Sequence, residues 1–182
     1  MRRGLRWYVL SALLAAAPAC RREAPREPTG PRLEARWSGT DTAAFTAPAV
    51  AEWCDSLDLL ELRAVAGDTG LALAVYRADT IQPGEYPIRP PDVADTTPPS
   101  AALALRWFSR MSVRGVRSDS GTLTLRRAAD GVLSGSFRAK ARGISDAGRL
   151  TVTGSFAGLR ARPARRGCTA RSATRDSAAG VH

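Results

Sequence analysis

Three stretches decide the fold of this 182-residue chain: Gly121-Thr122-Leu123-Thr124-Leu125-Arg126-Arg127, Leu133-Ser134-Gly135-Ser136-Phe137 and Val152-Thr153-Gly154-Ser155-Phe156. In each, apolar and polar residues alternate one for one, the period of a half-buried strand. Leu123 and Leu125 share one face, and Thr122, Thr124 and Arg126 the other. Ala129-Asp130-Gly131 supplies the hairpin turn that follows. In the next strand Leu133, Gly135, Phe137 and Ala139 face inward. After Gly143–Gly148 the scheme repeats with Leu150, Val152, Gly154 and Phe156. The last two strands form a weak repeat of apolar, hydroxyl, Gly, Ser, Phe. A glycine inside a strand marks a bend, a bulge or a large side chain stacked across it. Both phenylalanines are therefore expected in the core, on neighbouring antiparallel strands.

Upstream the same period continues. Leu33, Ala35 and Trp37 alternate with Glu34 and Arg36. Leu57–Ala66 and Leu71–Ala78 flank Gly67-Asp68-Thr69-Gly70, a hairpin turn with glycine where positive φ is easiest. Phe45–Trp53 is apolar and alanine-rich but contains Pro48, so it reads as an edge strand, an irregular crossing or a short helix. Pro83-Gly84 turns into a short strand with Tyr86 and Ile88. Arg89–Ser100, with four prolines, reads as a loop. Ala102–Phe108 and the weaker Met111–Ser118 complete the set. The expectation is an all-β domain over residues 33–161: one antiparallel barrel or sandwich of about eight to ten strands.

Residues 1–19 read differently. Arg2, Arg3 and Arg6 precede the apolar run Trp7–Ala17, and Ala17-Pro18-Ala19 follows, the layout of a secretory signal peptide. Eleven apolar residues rise only about 16 Å as a helix, half of a ~30 Å hydrocarbon core. Cys20 directly follows the small residues. Residues 1–21 thus resemble the lipobox of bacterial lipoproteins, in which that cysteine is acylated and becomes the first mature residue. The resemblance implies a membrane anchor at Cys20. Arg21, rather than Asp, in the next position implies the outer membrane. Ala17-Pro18-Ala19 also fits an ordinary signal-peptidase site, which would release a soluble periplasmic or secreted protein. Residues 20–32 read as anchor site and proline-rich tether. Arg21–Pro31 would reach about 34 Å in polyproline form. The Gly121–Leu125 run followed by a turn and Ser-Gly-Ser-Phe also resembles β-rich domains of bacterial lipoproteins, a likeness that implies fold more than function.

The net charge of +10 comes from 26 arginines and one lysine against 17 acidic residues. Much of the excess sits in the exported head and the Arg-rich tail, residues 162–182, which reads as disordered. The high pI is therefore no sign of nucleic-acid binding. Inside the domain the charge is divided. Residues 30–97 hold 5 basic and 11 acidic residues, and residues 98–161 hold 11 basic and 3 acidic. Either the two halves pair strands and neutralise each other, or they leave a basic face for an anionic partner such as a lipid headgroup or a polysaccharide. Once Cys20 is acylated, Cys54 and Cys168 remain as a candidate disulfide in an oxidising compartment.

The only histidine is His182. That leaves no Ser-His-Asp or Cys-His arrangement and no His-based metal site; separately, no phosphate-cradling glycine motif opens a helix, so neither catalytic residues nor a cofactor are expected. Asp55, Asp58 and Glu61, like Asp92 and Asp95, read as solvated carboxylates. Trp37, Trp53, Tyr86 and Trp107 are either core aromatics or the lining of a ligand pocket inside a barrel. The functional expectation is an exported, lipid-anchored, non-catalytic envelope module with a structural or partner-binding role. Its partner would be an envelope protein, a lipid or a glycan. The alternative is a calycin-like barrel carrying an apolar or amphipathic ligand.

Overall fold

The computed structural model describes residues 30–76, 80–109, 111–144 and 148–164. Among these are ten strands: β1 Arg32–Gly39, β2 Ala43–Cys54, β3 Leu59–Ala66, β4 Thr69–Tyr76, β5 Gly84–Ile88, β6 Ser100–Ser109, β7 Ser112–Arg127, β8 Leu133–Gly143, β9 Arg149–Leu159 and β10 Ala161–Pro163. A 3-10 turn covers Asp55–Leu57 and a one-turn helix, α1, covers Pro91–Ala94. Pairing runs from β1 through β9, β8, β7, β6, β4, β3 and β2, and β2 pairs back with β1. β5 enters the wall between β6 and β7, and β10 lies beside β2 as an extra strand. The ring is closed, so the fold is a barrel and the sandwich is excluded. It is also mixed rather than wholly antiparallel, because β5 meets β6 and β10 meets β2 in parallel.

Period-two alternation produces the closure. Inward residues of every long strand are buried, from Leu33, Ala35 and Trp37 on β1 to Leu150, Val152 and Phe156 on β9, and they pack as one cluster. β8 and β9 are antiparallel neighbours, with Gly135 opposite Phe156 and Phe137 opposite Gly154. Each ring lies over the other strand's glycine. A Cβ at Gly135 would stand 2.6 Å from Phe156 Cζ, and one at Gly154 2.9 Å from Phe137 Cε1 and closer still to its Cζ. The repeated Gly-Ser-Phe is thus a reciprocal lock between two strands.

Phe45–Trp53 lies within a regular strand of 12 residues, β2, rather than a helix or irregular crossing. Pro48 is tolerated there for a geometric reason. The Ala49 N–H donates to the Pro31 carbonyl on the β1 side at 3.1 Å. Successive amides alternate sides, so the position of the missing Pro48 N–H faces β3, whose ladder with β2 begins only at Ala49 opposite Ala64.

The expected strands Met111–Ser118 and Gly121–Arg127 are one 16-residue strand, β7, with a bulge between Ser118 and Ser120. Above the bulge β7 pairs with β6, and below it with β5. Ser118 holds the fork: its buried hydroxyl accepts from Leu103 N–H at 3.0 Å and donates to the Arg89 carbonyl at 2.6 Å. The proline-rich segment after β5 contains α1 rather than loop alone. Its Ala94 is buried, and its carbonyl receives the buried Ser100 hydroxyl at 2.7 Å. The sheet also runs two residues beyond the expected end of the domain, since β10 reaches Pro163.

Candidate binding surface and barrel mouth

The upper end of the barrel carries the β1–β2, β3–β4, β6–β7 and β8–β9 connections; the lower end carries the β2–β3 and β7–β8 connections and the start of β1. This division separates the four expected aromatics. Trp37 and Trp107 meet near the upper end, with ring centroids 5.6 Å apart and planes tilted by 45°. Tyr86 is buried on β5 in the lower half, opposite Leu123, and its hydroxyl donates to the Gln82 carbonyl at 2.7 Å. Burial pushes the Tyr86 phenol pKa up. Trp53 is half-buried at the lower end and donates its Nε1–H to Asp55. There it borders a recess of about 420 Å³ with Arg127, Arg160 and Arg162. The four rings therefore do not converge on one pocket.

At the upper mouth Trp107 donates its Nε1–H to Asp41 Oδ2 at 2.8 Å, tying the β1–β2 connection to β6. Arg114 stands opposite Trp107 on β7, in the inward register of Val116. Its Nε and the Nε1 of Trp37 are buried and have no hydrogen-bond partner. Neither Asp41 nor Arg114 lies in a motif recognisable from the sequence, so neither was expected there.

The carboxylates go to the other side. Glu52 and Glu61 are direct neighbours on β2 and β3, and Arg63 bridges both. Asp55 belongs to the 3-10 turn, and Asp58, within the expected strand Leu57–Ala66, instead adopts a left-handed φ of 46° just before β3 begins at Leu59. Among the described residues no group of three His, Cys, Asp or Glu side chains could hold a metal ion.

The outer face of β7, β8, β9 and β1 is basic. Arg36, Arg117, Arg138, Lys140, Arg142 and Arg149 are all exposed. Arg117 stands opposite Arg142, and Arg142 opposite Arg149. Like charges directly opposite each other destabilise a sheet. One carboxylate, Asp119, pairs with Arg142 at 3.7 Å; Glu34, below Arg36 on the same strand face, is engaged by Arg32 at 3.0 Å. The two halves of the chain do pair, at β4–β6, β5–β7 and β1–β9, but β7, β8 and β9 all come from the basic half and neighbour one another, so their cations stay together.

Beside this face, β3, β4, β6 and β7 form a shallow groove of about 480 Å³ floored by Gly70, Ala72, Ala104 and Gly115. Val65, Val113 and Ile144, 62%, 55% and 62% exposed, line it toward the upper rim, where Phe108 and Met111 are 50% and 100% exposed. The sequence did carry this signal, in Arg63-Ala64-Val65, Arg106-Trp107-Phe108 and Arg142-Gly143-Ile144. It is recognisable only once those three segments are known to end at the same rim.

Cys54 is buried at the end of β2, while Cys20, Cys168 and the signal-peptide residues lie outside the described residues. Among the described residues no helix is long and apolar enough to cross a membrane. The fold and surface define a closed β-barrel with a packed interior and a charge-divided exterior. The sequence matches no known protein family, and no curated protein or solved structure is detectably similar to it.

Proposed function

We propose that this protein is an exported, non-catalytic envelope module, anchored through acylated Cys20, that binds an anionic partner through the outer face of β7, β8, β9 and β1. One observation carries the reading: six cations from four adjacent strands face solvent together, with Asp119 and Glu34 the carboxylates among them in the described residues. An arginine-rich composition accounts for their number but not for their gathering on one face. Arginines facing each other across β7, β8 and β9 weaken the sheet, a cost that an anionic ligand would offset. The single interior cluster supports a module over a calycin-like carrier, whose cargo needs an open cavity of at least ~300 Å³. In the same reading Cys54 and Cys168 form a disulfide in the oxidising envelope.

The test is binding of the chain to dextran sulfate against uncharged dextran. Sulfated polymer should be retained at low salt and released as salt approaches 1 M, where the Debye length falls to ~3 Å. Arg138→Glu with Lys140→Glu should weaken retention at least tenfold without altering the circular dichroism spectrum. Equal binding to both polymers would refute the proposal.

A further inference from the structure

The structure assigns the anionic partner: we infer that the upper rim of the barrel docks on a bilayer of anionic lipid, its apolar residues entering the acyl boundary and its arginines meeting the headgroup phosphates. The inference rests on the proposed binding of an anionic partner and adds where and to what the barrel binds.

Five large apolar side chains, Val65, Phe108, Met111, Val113 and Ile144, stand at least half exposed at one end of the barrel. They come from the ends of four strands, and Met111, in the turn between β6 and β7, is wholly exposed. On three of these segments an arginine sits two residues further down: Arg63 below Val65, Arg106 below Phe108, and Arg142 below Ile144. Two residues along a strand are about 7 Å, comparable to the ~5–10 Å by which interfacial segments bury their apolar face. Arg117 and Arg149 flank Arg142 in register and extend the belt. Within the belt Arg63 is engaged by Glu52 and Glu61, and Arg142 by Asp119; two further described carboxylates lie at the tip itself. Asp41 is engaged by Trp107, and Asp68 lies at the tip of the β3–β4 turn. An apolar tip ringed by cations is complementary to an anionic lipid surface and to its layering in depth.

The anchor permits this orientation. β8 and β9 are 11 residues each, which at ~3.3 Å per residue and a tilt of ~40° gives an axial length of about 28 Å. β1 begins at the lower end. A tether of about 34 Å reach lets the upper rim turn back to the membrane that holds Cys20.

The experiment uses the full chain reconstituted in vesicles, so that its N-terminal segment holds it at the bilayer whether or not Cys20 is acylated. Met111→Trp reports the rim and Glu85→Trp the lower end, each read against the wild-type tryptophan background with brominated acyl chains as quencher. In phosphatidylglycerol vesicles the Met111→Trp signal should be quenched at least twice as strongly as in phosphatidylcholine vesicles, and the Glu85→Trp signal in neither. Adding Arg106→Glu and Arg142→Glu should bring the rim signal down to the phosphatidylcholine level while the circular dichroism spectrum is kept. Absence of rim quenching in phosphatidylglycerol, or equal quenching at both ends, overturns the docking. If dextran sulfate is still bound through Arg138 and Lys140 in that case, the broader proposal of an anionic partner survives and the partner is a polymer. If neither rim quenching nor polymer binding is seen, both fall.

Discussion

Gly154 carries more of the fold than its size suggests. It lies opposite Phe137 in the β8–β9 ladder, and the ring occupies the space a Cβ would need, as Phe156 does over Gly135. A Cβ there would also meet the Glu34 carbonyl of β1, so Gly154→Ala is expected to force the Phe137 ring and the β1 backbone to shift, at about 1–3 kcal/mol or more. Phe137→Ala removes a buried ring and should cost about 3–5 kcal/mol. Ser136→Ala, at an exposed position between them, should stay within about 0.5 kcal/mol. Urea denaturation of the three variants orders them. A larger loss in the serine variant than in the phenylalanine variant would mean that the two faces of β8 are reversed.

Among the elements, β7 is decisive because it serves two different neighbours. It pairs with β6 above the bulge and with β5 below it, and the Ser118 hydroxyl occupies the fork, bonded to Leu103 N–H and the Arg89 carbonyl. Ser118→Ala keeps the volume nearly unchanged but leaves both groups without that partner. Leaving buried polar groups unsatisfied costs about 1–3 kcal/mol. The variant should lose stability in that range, and the Leu103 amide should exchange faster with solvent while amides on β8 and β9 keep their protection relative to global stability. Unchanged exchange at Leu103 would show that the fork is held by packing alone. β2 shows the converse case, an element whose apparent breaker, Pro48, falls where its missing N–H would have had no ladder partner.

Across the whole molecule, closure turns a division along the sequence into a division in space. The acidic β2 and β3 lie on one side, and the basic β7, β8 and β9 on the other. The apolar rim with its arginine belt marks the upper end, and β1 starts from the lower. The docking proposed for the rim needs a membrane close by, so the anchor is the whole-molecule prediction. Metabolic labelling with a palmitate analogue should mark the wild-type chain, and Cys20→Ser should abolish the label. An unlabelled wild type, or a mutant labelled as strongly, would refute acylation at Cys20. Two acyl chains give stable attachment where one gives marginal binding, so loss of the label should also move the protein from the membrane to the soluble fraction.

The sequence by itself determined the strands and their faces. Alternation has a period of two and needs no knowledge of neighbours, so the inward sets Leu133–Ala139 and Leu150–Phe156, the turn at Ala129–Gly131 and the core role of both phenylalanines were legible. The sequence also determined the charge division along the chain. Only the tertiary structure decided that the sheet closes as a barrel, because closure depends on β1 pairing with both β2 and β9, over a hundred residues apart. It decided too that β2 is a strand despite Pro48, that two short strands are one bulged β7, and that the four expected aromatics divide between the ends. The binding surface belongs to the second class for the same reason. Arg63, Arg106 and Arg142 are scattered over 80 residues of sequence, and only strand order and register bring them into one belt beneath one rim.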